Sequence, residues 1–395
     1  MGYRKFKADY IFTGTELLEE NNVLVTDEKG TIETIVEAKD AGDDIEIFKG
    51  LISPGFINCH CHLELSHMKN VIESGTGLVD FLIKVISKRS AITEEIDAAM
   101  HSANEEMYNG GIVAIGDISN TTDSLKTKLK SKIQYHNFIE VLGFTEEKSK
   151  TVFEPYLNVY NTFCEAGFKE NTSIVPHAPY TISTSMFNLI NDFSAEKIIS
   201  IHNQETLAED ELYQTKTGDF LRLYHHLNIN TDFFQPYNTS SLQSYLPLLD
   251  KPKNILSIHN TFTSQEDIEF ANQQSKICNQ QLFWCLCPNA NLYIENKLPP
   301  VELLKQNNCT IVLGTDSYSS NWSLSILDEM KTLQKKFPSL QLQELLNWVT
   351  LNGAKALGID EVSGSFGKGK KPGVLLIDNI LQKKLNHNTS VKRLL

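Results

Sequence analysis

The sequence predicts an α/β protein: a (β/α)8 TIM-type barrel carrying a small β-sandwich domain formed by both chain ends. Three observations predict it. Eight short runs rich in Val, Ile and Phe lie between residues 55 and 317, separated by longer amphipathic stretches, the alternation of a parallel βα architecture. Both ends of the chain instead alternate short apolar runs with turns. No glycine-rich phosphate turn follows the first of the eight runs, which weighs against an open doubly wound sheet.

Taken in order, residues 1–53 give "ADYIFTG", "NNVLVTDEKGTIETIVEA" and "DIEIFKG". The Asp27-Glu28-Lys29-Gly30 turn between two β-branched runs predicts a hairpin. Residues 54–359 form the expected barrel. Its strands are read from "GFINCHCH" (55–62), "GIVAIGDIS" (111–119), "KIQYHNFIEVLG" (132–143), "TSIVPHAP" (172–179), "KIISIHNQE" (197–205), "ILSIHNT" (255–261), "QLFWCLCPN" (281–289) and "TIVLGTDS" (310–317). "GLVDFLIKVISKRS" and "ITEEIDAAMHSANEEMYNG" read as helices, as do a segment at about 323–335 and "LQELLNWVTLNGAKALGI". Residues 360–395 return to turn-plus-strand character and are expected to rejoin the N-terminal β-unit.

Composition narrows the function. The hydrophobic share of 41% and charged share of 22% are ordinary for a globular protein. A formal charge of −13 argues against a nucleic-acid footprint, which needs a basic face, and against anionic membrane surfaces. No stretch approaches the roughly 20 apolar residues of a membrane span, and the first residues lack the apolar core of a secretory signal. Seven scattered cysteines read as reduced thiols rather than a disulfide framework. The expected compartment is the cytoplasm and the expected partner a small-molecule substrate, with no nucleic acid and no membrane; a homodimer is left open.

Chemistry concentrates where strands end. Side chains at i and i+2 of a strand share a face, so His60 and His62 point together into the barrel mouth while Cys59 and Cys61 face the wall. His177, His202 with Glu205, His259 and Asp316 lie at four further strand ends. A lone strand-end histidine is usually a packed, hydrogen-bonded residue. Five strand ends aiming acids and imidazoles at one mouth form a constellation, and barrel active sites gather at that face. Imidazole and carboxylate ligands suit a divalent metal with one position open to water. His60, His62, His202 and Asp316 suffice as ligands, leaving Glu205 and His259 to handle protons. A rival site would use the Cys59/Cys61 and Cys285/Cys287 thiols, but C-x-C is not the spacing of common zinc modules.

With these residues in view, the chain resembles the amidohydrolase superfamily, in its chlorohydrolase, cytosine-deaminase-like branch with S-adenosylhomocysteine deaminase-like and aminodeoxyfutalosine deaminase-like members. "PGFINCHCH" is similar to PGFxNxHxH, "HAPYTIS" (177–183) to HAPYT, "HNQE" (202–205) to HxxE, "CPNAN" (287–291) to CPxSN and "GTDSYSSN" (314–321) to GTDSxxSN. "LNGAKALGI" and "GKGKKPGVLLID" resemble the closing segments, and "HLELS" (62–66) resembles the aminodeoxyfutalosine deaminase members. Two departures stand out: Ala290 replaces the CPxSN serine, and "GKKPG" replaces the closing "GKDAD".

The resemblance implies a metal held by His60, His62 and His202, with Asp316 as ligand and proton acceptor. It implies that Glu205 protonates a substrate ring nitrogen and that His259 holds and polarises the attacking water. His177 resembles a substrate-contacting histidine, and Asp80 lies where nucleoside-deaminating members carry a sugar-binding acid. The implied enzyme is a hydrolase of carbon–nitrogen bonds other than peptide bonds, deaminating an aminated heterocycle such as a 6-aminopurine nucleoside derivative. It would carry one divalent ion per subunit, zinc first and iron as the other candidate. Alternatives are hydrolysis of another C–N or C–Cl bond, and a barrel that binds metal or nucleoside without turnover.

Overall fold

The computed structural model describes residues 2–232 and 234–395. Seven short strands fill the N-terminal segment: β1 (Tyr3–Lys7), β2 (Tyr10–Phe12), β3 (Leu17–Glu19), β4 (Asn22–Asp27), β5 (Ile32–Glu37), β6 (Ile45–Ile47) and β7 (Leu51–Ser53). Eight follow with helices between them: β8 (Phe56–Cys61), β9 (Ile112–Ser119), β10 (Gln134–Val141), β11 (Thr172–Pro176), β12 (Ile198–Asn203), β13 (Asn254–His259), β14 (Gln281–Leu286) and β15 (Thr310–Leu313). Two more, β16 (Leu375–Asp378) and β17 (Ser390–Arg393), close the chain.

The expected hairpin is β4–β5, antiparallel. Asp27 Oδ1 accepts hydrogen bonds from the backbone of Lys29 and Thr31, each 2.8 Å, and Gly30 takes a φ of +85°. That side-chain turn, plus a residue free to enter the left-handed region, is what a tight connection needs. The terminal strands form two sheets, ordered β5-β4-β1-β6 and β17-β16-β7-β2-β3. β16 pairs antiparallel with β7, Leu376 opposite Ile52. Phe6, Ile11, Leu24, Ile52, Phe366 and Val374 share one buried cluster.

The eight central strands run parallel in two four-stranded sheets, β11-β10-β9-β8 and β12-β13-β14-β15. Every residue of β8 and β13 is buried, as expected for strands covered on both faces. Hydrogen bonds link the two sheets on both sides. His202 N donates to His177 O at 2.9 Å, joining the ends of β12 and β11; Thr315 N and Asp316 N both donate to His60 O at 3.0 Å, joining the chain after β15 to β8. Gly314 makes the second approach possible, because a Cβ there would lie 2.7 Å from His60 Cβ. Both links sit where candidate site residues emerge.

Helices α1 (Leu78–Lys88) and α2 (Thr93–Asn109) follow β8. Later helices begin on serine caps at Ser183, Ser264 and Ser325, each side chain accepting from a backbone N–H in the first turn. The Ser325 cap sets the start of the helix read at about 323–335, which runs Ile326–Lys336. All seven cysteines are free, and among the described residues no helix is long and apolar enough to cross a membrane.

Candidate active site

The i, i+2 geometry at the end of β8 brings His60 and His62 together: their Nε2 atoms are 3.1 Å apart. Asp316 Oδ1 lies 3.5 Å from His60 Nε2 and 3.2 Å from His62 Nε2. His202 enters from the end of β12, its ring centroid 4.9 Å from that of His60 and 5.5 Å from that of His62. His259 enters from β13, 5.4 Å from His202. One ligand atom from each of His60, His202, His259 and Asp316 falls within 4.8 Å of the others. His62 joins through its two short contacts rather than through that foursome.

The donor set fits a divalent cation. Ligands about 2.1 Å from a tetrahedral ion are about 3.4 Å from one another, and the His60–His62–Asp316 triangle has that size. Burial lowers the pKa of His60 and His62, takes His202 to about 4, and holds His259 well below its usual value. These imidazoles are therefore neutral, the form that can ligate. Burial alone would raise Asp316, but the hydrogen bond from His60 and the adjoining His62 and His259 rings hold it well below the usual carboxylate range. Neutral imidazoles around an ionised carboxylate are what zinc or ferrous iron takes.

The backbone is bent to aim these groups. His259 has a φ of +71°, Asp316 of +57°, and Gln204, next to Glu205, of +44°. Left-handed non-glycine residues cost on the order of 1 kcal/mol or more each and cluster at functional sites. Side chains from the sequence motifs hold the bends. Asn58 Nδ2 donates to Thr315 Oγ1 at 2.8 Å, and Asn58 Oδ1 accepts from Thr315 N at 3.1 Å. Asn321 Nδ2 donates to Thr315 O, and Ser320 Oγ to Asp316 Oδ2. Asn291 Nδ2 meets His259 Nδ1 at 3.2 Å, which leaves the proton of His259 on Nε2, 3.6 Å from Glu205 Oε1. Ala290 packs wholly inside the main hydrophobic core.

Glu205 is the counterpart of Asp316. Burial, then the nearby charges of Asp316, Glu209 and Glu295, push its carboxyl well above the usual range. That shift favours its protonated form. His177, taken to about 3 by burial, is hydrogen-bonded through Nδ1 to Thr181 Oγ1 at 3.0 Å. These groups share a cavity whose opposite wall is apolar, built from Leu78, Phe81, Leu82 and Val85 of α1 with Leu223 and Leu227. Among its described lining residues Arg89 is the one Lys or Arg.

Asp80 is not brought to this cavity. Its carboxylate faces Arg222 at 2.5 Å on the outer side of α1, and the pair is about half exposed. The rival thiols do not assemble a metal centre either. Burial pushes Cys59, Cys61 and Cys287 well above the usual thiol value, and no cysteine joins a ligand cluster among the described residues.

Several polar residues around the site escaped the sequence reading. Asp117, at the end of β9, accepts from Leu63 N at 2.8 Å, just after His62, and pairs with the fully buried Lys128 at 2.6 Å. Glu140, at the end of β10, lines the cavity. Both acids lie near the ends of barrel-type strands, but a single acid in such a run reads as ordinary alternation.

The model of the amidohydrolase family matches residues 51–393. The chain belongs to the amidohydrolase family. It is 28% identical over 319 residues to the adenosine deaminase of Helicobacter pylori, covering 78% of this chain and 75% of that one. It is 26% identical over 340 residues to the aminodeoxyfutalosine deaminase of Nitratiruptor, covering 83% and 79%. Among solved structures it shares the fold of the Helicobacter pylori aminofutalosine deaminase crystallised with methylthio-coformycin, with a TM-score of 0.80, 24% identity and coverage of 99% and 100%.

Proposed function

We propose that this amidohydrolase is a metal-dependent aminohydrolase that removes the exocyclic amino group of a 6-aminopurine nucleoside derivative as ammonia. The observation that carries the reading is the pair of buried carboxyls, Glu205 and Asp316, lining one cavity with the histidine cluster, their surroundings pushing Glu205 toward its protonated form and Asp316 toward its ionised form. Environments that push two acids apart assign one as proton donor and the other as proton acceptor. Relatives named adenosine deaminase, aminodeoxyfutalosine deaminase and 5'-deoxyadenosine deaminase support the same class.

One divalent ion per subunit would be held by His60, His62, His202 and Asp316, zinc first, with ferrous iron suited to the same donors. When bound, it supplies the Lewis acidity that makes water nucleophilic near neutral pH. The chain's own groups do the rest. His259 Nε2–H orients the water and Asp316 accepts its proton as the oxygen bonds to the amino-bearing carbon. Glu205 gives its proton to the adjacent ring nitrogen, which absorbs the charge that attack would otherwise build there. Asp316 then passes its proton to the amino group, the C–N bond breaks, and ammonia leaves. The new hydroxyl returns a proton to Glu205 as it becomes a carbonyl. His177 contacts the substrate from the end of β11, and the apolar α1 wall suits a non-polar substituent remote from the reacting carbon.

In the same reading the two four-stranded parallel sheets are halves of one closed (β/α)8 barrel over residues 54–359. Residues 1–53 and 360–395 form a single small β-sandwich, and the enzyme works in the cytoplasm. The test is ammonia release from a panel of 6-aminopurine nucleosides and other amino-heterocycles by the metal-replete protein. Release from none of them would remove the deaminase reading; hydrolysis of a panel member without ammonia would move it to another C–N or C–Cl bond.

A further inference from the structure

We propose that Glu140, steadied by Asn120, is the residue that binds the hydroxyl-bearing sugar of the substrate, a role the sequence had suggested for Asp80. This rests on the nucleoside reading above. Glu140 ends β10, lines the cavity and is 3% exposed. Its Oε2 accepts from Asn120 Nδ2 at 3.0 Å. Asn120 is itself fixed, its Nδ2 also reaching Glu140 O at 3.2 Å and its backbone N–H donating to Glu64 at 3.1 Å. Glu140 Oε1 is buried and has no hydrogen-bond partner. A buried acceptor left without a donor is costly, and buried polar atoms of this kind are normally satisfied. What completes Oε1 must be a donor, and the cavity is where it can come from.

The neighbouring histidine does not supply that donor. His202 Nδ1 lies 3.6 Å from Glu140 Oε1, beyond hydrogen-bond reach, and its proton goes to His177 O at 2.8 Å. The same bond argues against a second cation site at Glu140, His177 and His202, although one atom from each lies within 4.8 Å of the others: a protonated Nδ1 cannot ligate. The bond leaves Nε2 of His202 for the cluster with His60 and Asp316, so its ring separates that cluster from Glu140. A donor held by Glu140 therefore lies beyond His202 from the reacting carbon, past the span of its ring and the 3.6 Å from Nδ1 to Glu140 Oε1. A purine placed against Glu205 and Asp316 would carry its sugar hydroxyls into this position, and a carboxylate is the acceptor hydroxyls take. Asp80, paired with Arg222 on the far side of α1, has no access to it.

The test crosses two enzymes with two substrates. Wild type and Glu140→Gln, both loaded with zinc, are assayed for ammonia release from adenosine and from 2′,3′-dideoxyadenosine. Because Asn120 Nδ2 is a donor, the glutamine places its amide oxygen there and turns its NH2 toward the cavity, opposing a hydroxyl donor. kcat/KM for adenosine should fall about 10- to 100-fold, the scale of losing a charge-assisted hydrogen bond. The dideoxy substrate should change by less than about threefold, with zinc content unchanged. Equal losses on both substrates, or a loss of zinc, would mean that Glu140 only positions His202 and would overturn the proposal.

Equilibrium binding of inosine against 9-methylhypoxanthine gives the same comparison without turnover. Inosine should bind wild type more tightly, and Glu140→Gln should erase the difference. If wild type releases no ammonia but this binding pattern holds, the sugar subsite stands and the deaminase reading falls. If adenosine is turned over but the variant does not discriminate, Glu140 falls and the deaminase reading stands. Should Glu140→Gln fail to fold, Asn120→Ala should give a smaller loss confined to adenosine, and equal loss on both substrates would again refute the assignment.

Discussion

Replacing Glu205 with Gln keeps the shape of the side chain and removes its proton. Glu205 is 4% exposed, so bulk water has little access to deliver a proton in its place. His259 Nε2, 3.6 Å away, belongs to a neutral imidazole whose other nitrogen is occupied by Asn291, and Asp316 is ionised. Neither His259 nor Asp316 stands ready to act as the acid. A positioned acid contributes about 10²–10⁴-fold, and with no substitute the loss in kcat should lie in the upper part, about 10³–10⁴, or roughly 4–5.5 kcal/mol of barrier. Folding should be little affected, because the 3.6 Å separation from His259 is not a hydrogen bond to be lost. Elemental analysis should find full metal. The pH profile adds a signature: wild-type Glu205 works protonated and its pKa is raised, so activity should fall as pH climbs through that raised value, and the variant should lose this alkaline limb. A variant with full metal and near-normal rate would remove Glu205 from the mechanism and weaken the deaminase reading with it.

Three further outcomes are expected. His202→Ala should lower metal occupancy as well as rate, since distorting one ligand typically costs 10- to 100-fold or more in affinity; unchanged metal content would count against the ligand set. Lys128→Met strands Asp117 in the interior and should cost about 3–5 kcal/mol in urea unfolding, with weakened metal binding because Asp117 anchors the backbone just after His62; a loss under about 1 kcal/mol would refute the importance of the pair. Burial takes His136 from 6.5 to about 3, so the unfolded chain binds a proton that the folded one refuses as pH drops from 6.5 toward 3, and stability is lost across that window. His136→Asn should flatten this decline by about 1.4 kcal/mol per pH unit, read from urea midpoints between pH 4 and 6 as an order-of-magnitude slope; an unchanged slope would place the proton uptake elsewhere.

Much of this was legible because buried parallel strands announce themselves as uninterrupted β-branched runs, and because i and i+2 must share a face. His60 and His62 could be paired from spacing alone, and the other strand-end groups, His177, His202, Glu205, His259 and Asp316, line or join the same cavity. The Asp27–Gly30 hairpin was equally local, carried by one side chain and one glycine. What escaped was set by partners far away in sequence. Whether Asp80 faces a cavity or a neighbouring helix depends on Arg222, 142 positions later, and no helical periodicity reports that. The Asp117–Lys128 pair looks in sequence like a strand-end acid and one lysine of an exposed basic run. Glu140 was overlooked for a different reason: a single acid within "NFIEV" reads as ordinary alternation until both neighbouring strands are in place.

The most direct measurement follows ammonia and the 6-oxopurine product together, on one metal-replete sample given adenosine and its 5′-substituted relatives. The account predicts equal amounts of the two with at least one of these substrates, loss of both on chelation, and recovery with added zinc or iron. Full metal occupancy with no ammonia from any 6-aminopurine, or ammonia release that survives complete removal of the metal, would contradict it.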